Sequence, residues 1–132
     1  MKMITGGAFQ GKGKCAEKLF GIHESDMIDG AVCIYDEAFS AVCIKNYHEL
    51  LRRLLTENVS LTEFTKQLCI ENSSVVIIMN EIGSGIVPLE KSERILREET
   101  GRAGCIIAEH SDVVVRVLCG LPMIINGELN DN

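Results

Sequence analysis

The sequence predicts an α/β domain in which a mostly parallel sheet carries helices on both faces. Val75–Met79 is an uninterrupted apolar run and Val113–Leu118 a second strong strand, the pattern of strands buried on both sides. The segments between the apolar runs show helical spacing of three and four. A short apolar start, Met1–Thr5, enters a glycine-rich turn and then a helix. Strands alternating with helices imply parallel pairing with right-handed crossovers. At 132 residues there is room for one such domain, residues 1–132, and not for two.

Taken in order, the first helix is expected to run to about Phe20, with Gly21 at its end. The polar stretch from His23 to Gly30 predicts a loop, and Ala31–Tyr35 a second strand closed by Asp36 and Glu37. From Ala38 to about Leu55, Phe39, Cys43, Tyr47, Leu50, Leu51 and Leu54 recur at helical spacing. Ser60-Leu61-Thr62-Glu63 has the capping-box pattern and predicts a helix to Leu68 or Cys69. After the Val75–Met79 strand, Pro88 suits a helix start, and Ile95, Leu96, Ala103, Ile106 and Ile107 form a stripe that Gly101 and Gly104 weaken. Gly120-Leu121-Pro122 turns the last strong strand into a short edge strand, Met123–Ile125, before a polar tail from Asn126.

Composition narrows the function classes. Hydrophobic residues make up 46% and charged residues 24% of the chain, which is globular rather than disordered. The net charge of −6, without a basic block, disfavours nucleic acid, whose binding rests on neutralising phosphates. Cys15, Cys33, Cys43, Cys69, Cys105 and Cys119 include no CxxC pair. They are expected to be free thiols packing as small hydrophobes in a reducing, cytoplasmic setting. No apolar run approaches the ~20 residues that span a bilayer.

Three segments could carry chemistry. Gly6-Gly7-Ala8-Phe9-Gln10-Gly11-Lys12-Gly13-Lys14 contains the phosphate-loop spacing of glycine, four residues, glycine and lysine, between a strand and a helix. Such a loop turns backbone N–H groups and a helix dipole onto phosphate oxygens, while Lys12 bridges the terminal phosphates. The next position normally carries a serine or threonine hydroxyl for Mg²⁺; here it is Gly13. An ordinary glycine-rich turn with two lysines is the alternative. The second segment, Asn80-Glu81-Ile82-Gly83-Ser84-Gly85-Ile86-Val87-Pro88, follows the buried strand at the carboxyl edge where open α/β sheets place ligands. Glu81 there could hold Mg²⁺ or its water, or be a solvated carboxylate in a turn. Lys91, Arg94 and Arg97 share one helix face, with Arg94 and Arg97 as candidate phosphate contacts and the neighbouring glutamates as alternative partners.

Together these residues resemble the bifunctional adenosylcobinamide kinase/adenosylcobinamide-phosphate guanylyltransferase family of cobalamin biosynthesis. The resemblance rests on Gly6-Gly7-Ala8 with Gly11-Lys12, then on Asn80-Glu81-x-Gly83-x-Gly85-Ile86-Val87-Pro88. Arg97, Gly101-Arg102, Ala108, Asp112-Val113 and Gly120-Leu121-Pro122 continue it in order. It implies a RecA-like P-loop NTPase sheet with GTP or ATP over Gly6–Lys14. It also implies phosphorylation of a corrinoid hydroxyl, transfer of GMP through a histidine, and homo-oligomers such as trimers. Lys12 and Glu81 would then be catalytic, with Glu81 and Asp36 as Mg²⁺ ligands and Asn80 among the substrate contacts.

The chain departs from that family at Gly13, at Phe9-Gln10 in place of an Arg-Ser pair, and in a shortened stretch between Phe20 and Ala31. The basic, histidine-containing segment that accepts the guanylyl group is missing from that stretch. His23 is expected on a surface loop, and His48 and His110 on helices in structural or solvated roles. A reduced kinase, a binding module without turnover and a phosphotransferase with another acceptor are the competing readings.

Overall fold

The strand Val76–Asn80 (β4) explains the layering of the molecule. Val76 and Ile78 point into one apolar cluster and Ile77 and Met79 into the other, all four buried. A strand with two dry faces needs helices on both, and the chain supplies them. The computed structural model describes residues 1–81 and 90–129. The expected helix start at Pro88 and the glycines Gly83 and Gly85 lie outside the described residues.

Six strands form one sheet in the order β2-β3-β4-β1-β5-β6, where β1 is Lys2–Gly6, β2 Met27–Asp29, β3 Cys43–Lys45, β5 Val113–Leu118 and β6 Leu121–Asn126. The β1 strand pairs in parallel with β4 and β5, and β2–β3 and β3–β4 are parallel as well. Among the described residues only β6 runs antiparallel, paired to β5 across the Cys119–Gly120 turn. Helix Lys12–Phe20 (α1) covers one face through Cys15 and Ala16. The opposite face carries Tyr47–Thr56 (α2), Leu61–Glu71 (α3) and Lys91–His110 (α4). The amphipathic stripe of α2 puts Tyr47, Leu50, Leu51 and Leu54 in the core, each aliphatic side chain stabilising the fold by about 1.5–3 kcal/mol. The Ser60 hydroxyl accepts from the Glu63 N–H at 3.3 Å, the serine half of the expected box. Among the described residues no helix is long and apolar enough to cross a membrane.

Two expectations are corrected. The second strand is Met27–Asp29, not Ala31–Tyr35. Asp29 ends it by accepting from Ala31 N–H on its side chain and from Val32 and Cys33 N–H on its carbonyl, which curls the next residues into a turn. The helix expected from Ala38 begins only at Tyr47. Before it come a 3-10 turn, Tyr35–Ser40, and β3. Cys43 and Ile44 find backbone partners in Val76 and Ile77, and this pairing overrides the helical spacing of Phe39 and Cys43. Asn46, left-handed at φ 54°, separates strand from helix.

Candidate functional site

Gly6 closes β1 so tightly against β5 that a Cβ there would sit 2.5 Å from the Val117 carbonyl oxygen. Only glycine fits. From it the chain runs through Gly7–Gln10 to Gly11, whose φ of 87° starts α1. Lys12 is the first helical residue, so the amino end of α1 and its dipole face the loop. The Lys12 ammonium donates to the Gly7 carbonyl at 2.6 Å, folding back over its own loop. Burial lowers its pKa, and the charge of Glu81 opposes that shift. Gln10 ties the loop down: its carbonyl accepts from Gly120 N–H at 3.0 Å and its side chain accepts from Cys119 N–H. Phe9 stands fully exposed at the loop's apex with a positive φ of 59°. Gly13 lies in α1 with open space where a side chain would project. A cavity of about 560 Å³ opens beside the loop, walled by Gln10, Lys12, Lys14, Met27, Lys45 and Ile78.

At the carboxyl end of β4, Glu81 donates its N–H to the Gly6 carbonyl at 2.8 Å, which fixes it beside the start of the loop. Its carboxylate accepts two bonds from Arg116 of β5, from Nε at 2.6 Å and from an Nη at 3.2 Å. Asn80 donates its N–H to His48 Nδ1 at 3.0 Å. Burial depresses the His48 pKa, and an Nδ1 used as acceptor carries no proton. Beneath Asn80 and Glu81 a crevice of about 330 Å³ runs between α4 and the sheet, lined also by Thr100, Gly101 and Gly104. Among the described residues the buried Thr100 hydroxyl finds no hydrogen-bond partner there.

The residues expected from sequence are therefore unevenly gathered. Gly6–Lys14, Asn80 and Glu81 meet at the carboxyl edge of β1 and β4. Arg94 is exposed and Arg97 half-buried on α4, past residues 82–89. Arg52 binds Glu93, and Arg102 binds Glu98 and Glu99, so part of the charge on α4 is spent on neighbouring residues. Asp36 does not close a strand: it is exposed on the 3-10 turn between β2 and β3. Asp29 occupies that strand end instead, its carboxyl held low first by the Asn46 amide and then by Ala31 N–H. Among the described residues no group of three His, Cys, Asp or Glu converges as a metal cage. Mg²⁺ rarely needs one, since it keeps several waters and binds one or two carboxylates plus substrate phosphates. Glu81 fits that sparse role, since its partly exposed carboxylate stands at the strand end beside the start of the loop; Asp36, away from that strand end, does not.

Arg116 and Asp29 were missed from sequence, whereas His48 lies on α2 in a structural role, as expected. Arg116 did carry a signal, being the one charged residue inside the run Val113–Leu118.

The family model described as cobinamide kinase / cobinamide phosphate guanyltransferase matches residues 38–125. That span holds β3–β6 and the Asn80–Glu81 strand end, while the loop Gly6–Lys14 precedes it. No curated protein matches the chain.

Proposed function

The chain belongs to the cobinamide kinase / cobinamide phosphate guanyltransferase family, and on that premise we propose that it is a cytoplasmic, kinase-type phosphotransferase of cobalamin biosynthesis that has lost guanylyl transfer. Its mostly parallel six-stranded sheet with helices is the P-loop NTPase architecture of that family. The observation that carries the reading is the junction of loop, helix and carboxylate: Lys12 at the amino end of α1, with Glu81 bonded to the residue where the loop begins.

In this reading GTP or ATP lays its phosphates over Gly7–Gly13, and Lys12 leaves the Gly7 carbonyl for a phosphate oxygen. The acceptor hydroxyl of a cobinamide bonds to the terminal phosphorus as the bridging oxygen–phosphorus bond breaks. The nucleoside diphosphate departs, and Glu81 takes the hydroxyl proton. Glu81 would hold Mg²⁺ together with the phosphates, and the ion would supply charge neutralisation there. Asn80, Arg94 and Arg97 complete the substrate contacts.

The lost step follows from chemistry. Guanylyl transfer through the protein needs a nucleophile beside the α-phosphate. His23 is an exposed residue capping the short turn Glu24–Asp26, with Glu17 at 3.9 Å.

Gly13 favours a second reading, a nucleotide-binding module without turnover. Purified protein given GTP or ATP, Mg²⁺ and adenosylcobinamide should release the phosphorylated corrinoid, and α-labelled GTP should leave no acid-labile label on the chain. A wild type that binds nucleotide yet yields no product, while Gly13→Ser gains Mg²⁺-dependent turnover, would establish the module instead.

A further inference from the structure

Position 13 has no hydroxyl to help organise charge at the terminal phosphate, yet the site holds a cation that the motif does not provide. Arg116 sits opposite Thr5 in the β1–β5 register, with Val117 opposite Gly6. Its guanidinium passes the end of β1 to reach Glu81, whose own N–H is bonded to Gly6. Lys12 responds to the same carboxylate. Arg116 thus holds the Glu81 carboxylate beside the residue where the phosphate loop begins, and among the described residues the exposed guanidinium has no other protein acceptor. Arg116 occupies an exposed position of β5, so its forked pair with Glu81 lies at the surface, where a ligand can reach it.

We propose that Arg116 is a phosphate-binding residue: it exchanges the Glu81 carboxylate for the terminal phosphate of a bound nucleoside triphosphate and supplies part of the charge that the missing hydroxyl would organise through a metal. This inference rests on the loop binding nucleotide. The forked donors that now grip two carboxylate oxygens match two phosphate oxygens equally well. The guanidinium stays charged at every working pH. Under this proposal the guanidinium engages the terminal phosphate rather than the inner ones. The consequence is a preference for triphosphate over diphosphate that survives without Mg²⁺.

The test is equilibrium binding of GTP and GDP to the full chain, in EDTA and in Mg²⁺, for wild type, Arg116→Ala, Arg116→Lys, Glu81→Gln and Lys12→Ala. In EDTA, Arg116→Ala should weaken GTP roughly tenfold or more and GDP by less than about threefold, with Arg116→Lys in between. Glu81→Gln should tighten GTP several-fold, because it removes both the competing acceptor and a repulsive charge. Opposite signs for the two partners separate phosphate exchange from a structural ion pair, whose loss would act in one direction from either side. Wild type that binds GTP through Lys12, with Arg116→Ala neutral or weakening GTP and GDP alike, overturns the role of Arg116 and leaves the loop reading intact. Wild type that binds neither nucleotide overturns both.

Discussion

Lys12 sits where one side chain decides the occupancy of the loop. With no ligand its ammonium satisfies the Gly7 carbonyl at 2.6 Å, at some desolvation cost. A phosphate would offer it a charged acceptor instead. Nucleotide at millimolar concentration should raise the Tm of wild type, and Lys12→Ala should lose most of that gain, since a charge-assisted contact contributes roughly 1.5–3 kcal/mol. Thermal shift with GTP and ATP checks it, and equal shifts in both proteins would contradict it. His48 makes a second prediction at this scale. Its pKa is depressed by burial, so the unfolded chain takes up a proton more readily than the native one. Its contribution to stability is complete above the unfolded value of about 6.5 and is lost as pH falls through and below it. His48→Gln keeps an acceptor for Asn80 N–H, so urea titrations between pH 7.5 and 5 should show a shallower loss of stability than in wild type.

At the scale of elements, α4 is the clearest departure from local preference. Its 20 residues contain Gly101 and Gly104, yet it remains one helix because Leu96, Thr100, Ala103 and Ile107 are buried along one stripe. Tertiary packing outweighs a propensity deficit of about 1 kcal/mol per glycine. Among the described residues, no atom outside its own helix backbone and its two chain neighbours lies within 4 Å of a Cβ built on Gly101. Gly101→Ala should therefore stabilise the protein by about 0.5–1 kcal/mol, measured by chemical denaturation. A destabilisation would mean that something else occupies the crevice rim. The mixed outcome over residues 31–55 belongs here too. The spacing of Tyr47, Leu50, Leu51 and Leu54 predicted a real helix. Phe39 extended the same period only by chance, since its ring packs on Phe64 with centroids 5.3 Å apart, from a 3-10 turn.

Across the whole molecule, the sheet ends unlike at its two sides. On one side β2 is three residues long; on the other β6 is six residues long with every residue exposed, including Leu121, Met123, Ile124 and Ile125. A long apolar edge is a template for pairing with another chain. On this ground we propose that the protein works as a homo-oligomer. Light scattering should give a mass above the 14.5 kDa of one chain, and Ile124→Glu should shift it towards that mass while leaving the circular dichroism spectrum unchanged. A monomeric wild type would contradict the proposal.

What the sequence determined by itself was whatever depends on neighbours along the chain: the apolar strands Val75–Met79 and Val113–Leu118, the start of α1 at the glycine-rich turn, the Ser60 cap and the expectation of a phosphate loop. These rest on backbone preference and local hydrogen bonds, which a short window contains. Tertiary structure decided what depends on partners far away in sequence. It selected Met27–Asp29 over Ala31–Tyr35 as a strand, drew Cys43–Lys45 into the sheet beside β4, and removed Asp36 from the strand end on which its metal role rested. It also carried Arg116 across 35 residues of sequence to Glu81 beside Gly6. No local pattern contains such a meeting, because it is set by the register of parallel strands whose pairing energy is realised only when the sheet closes.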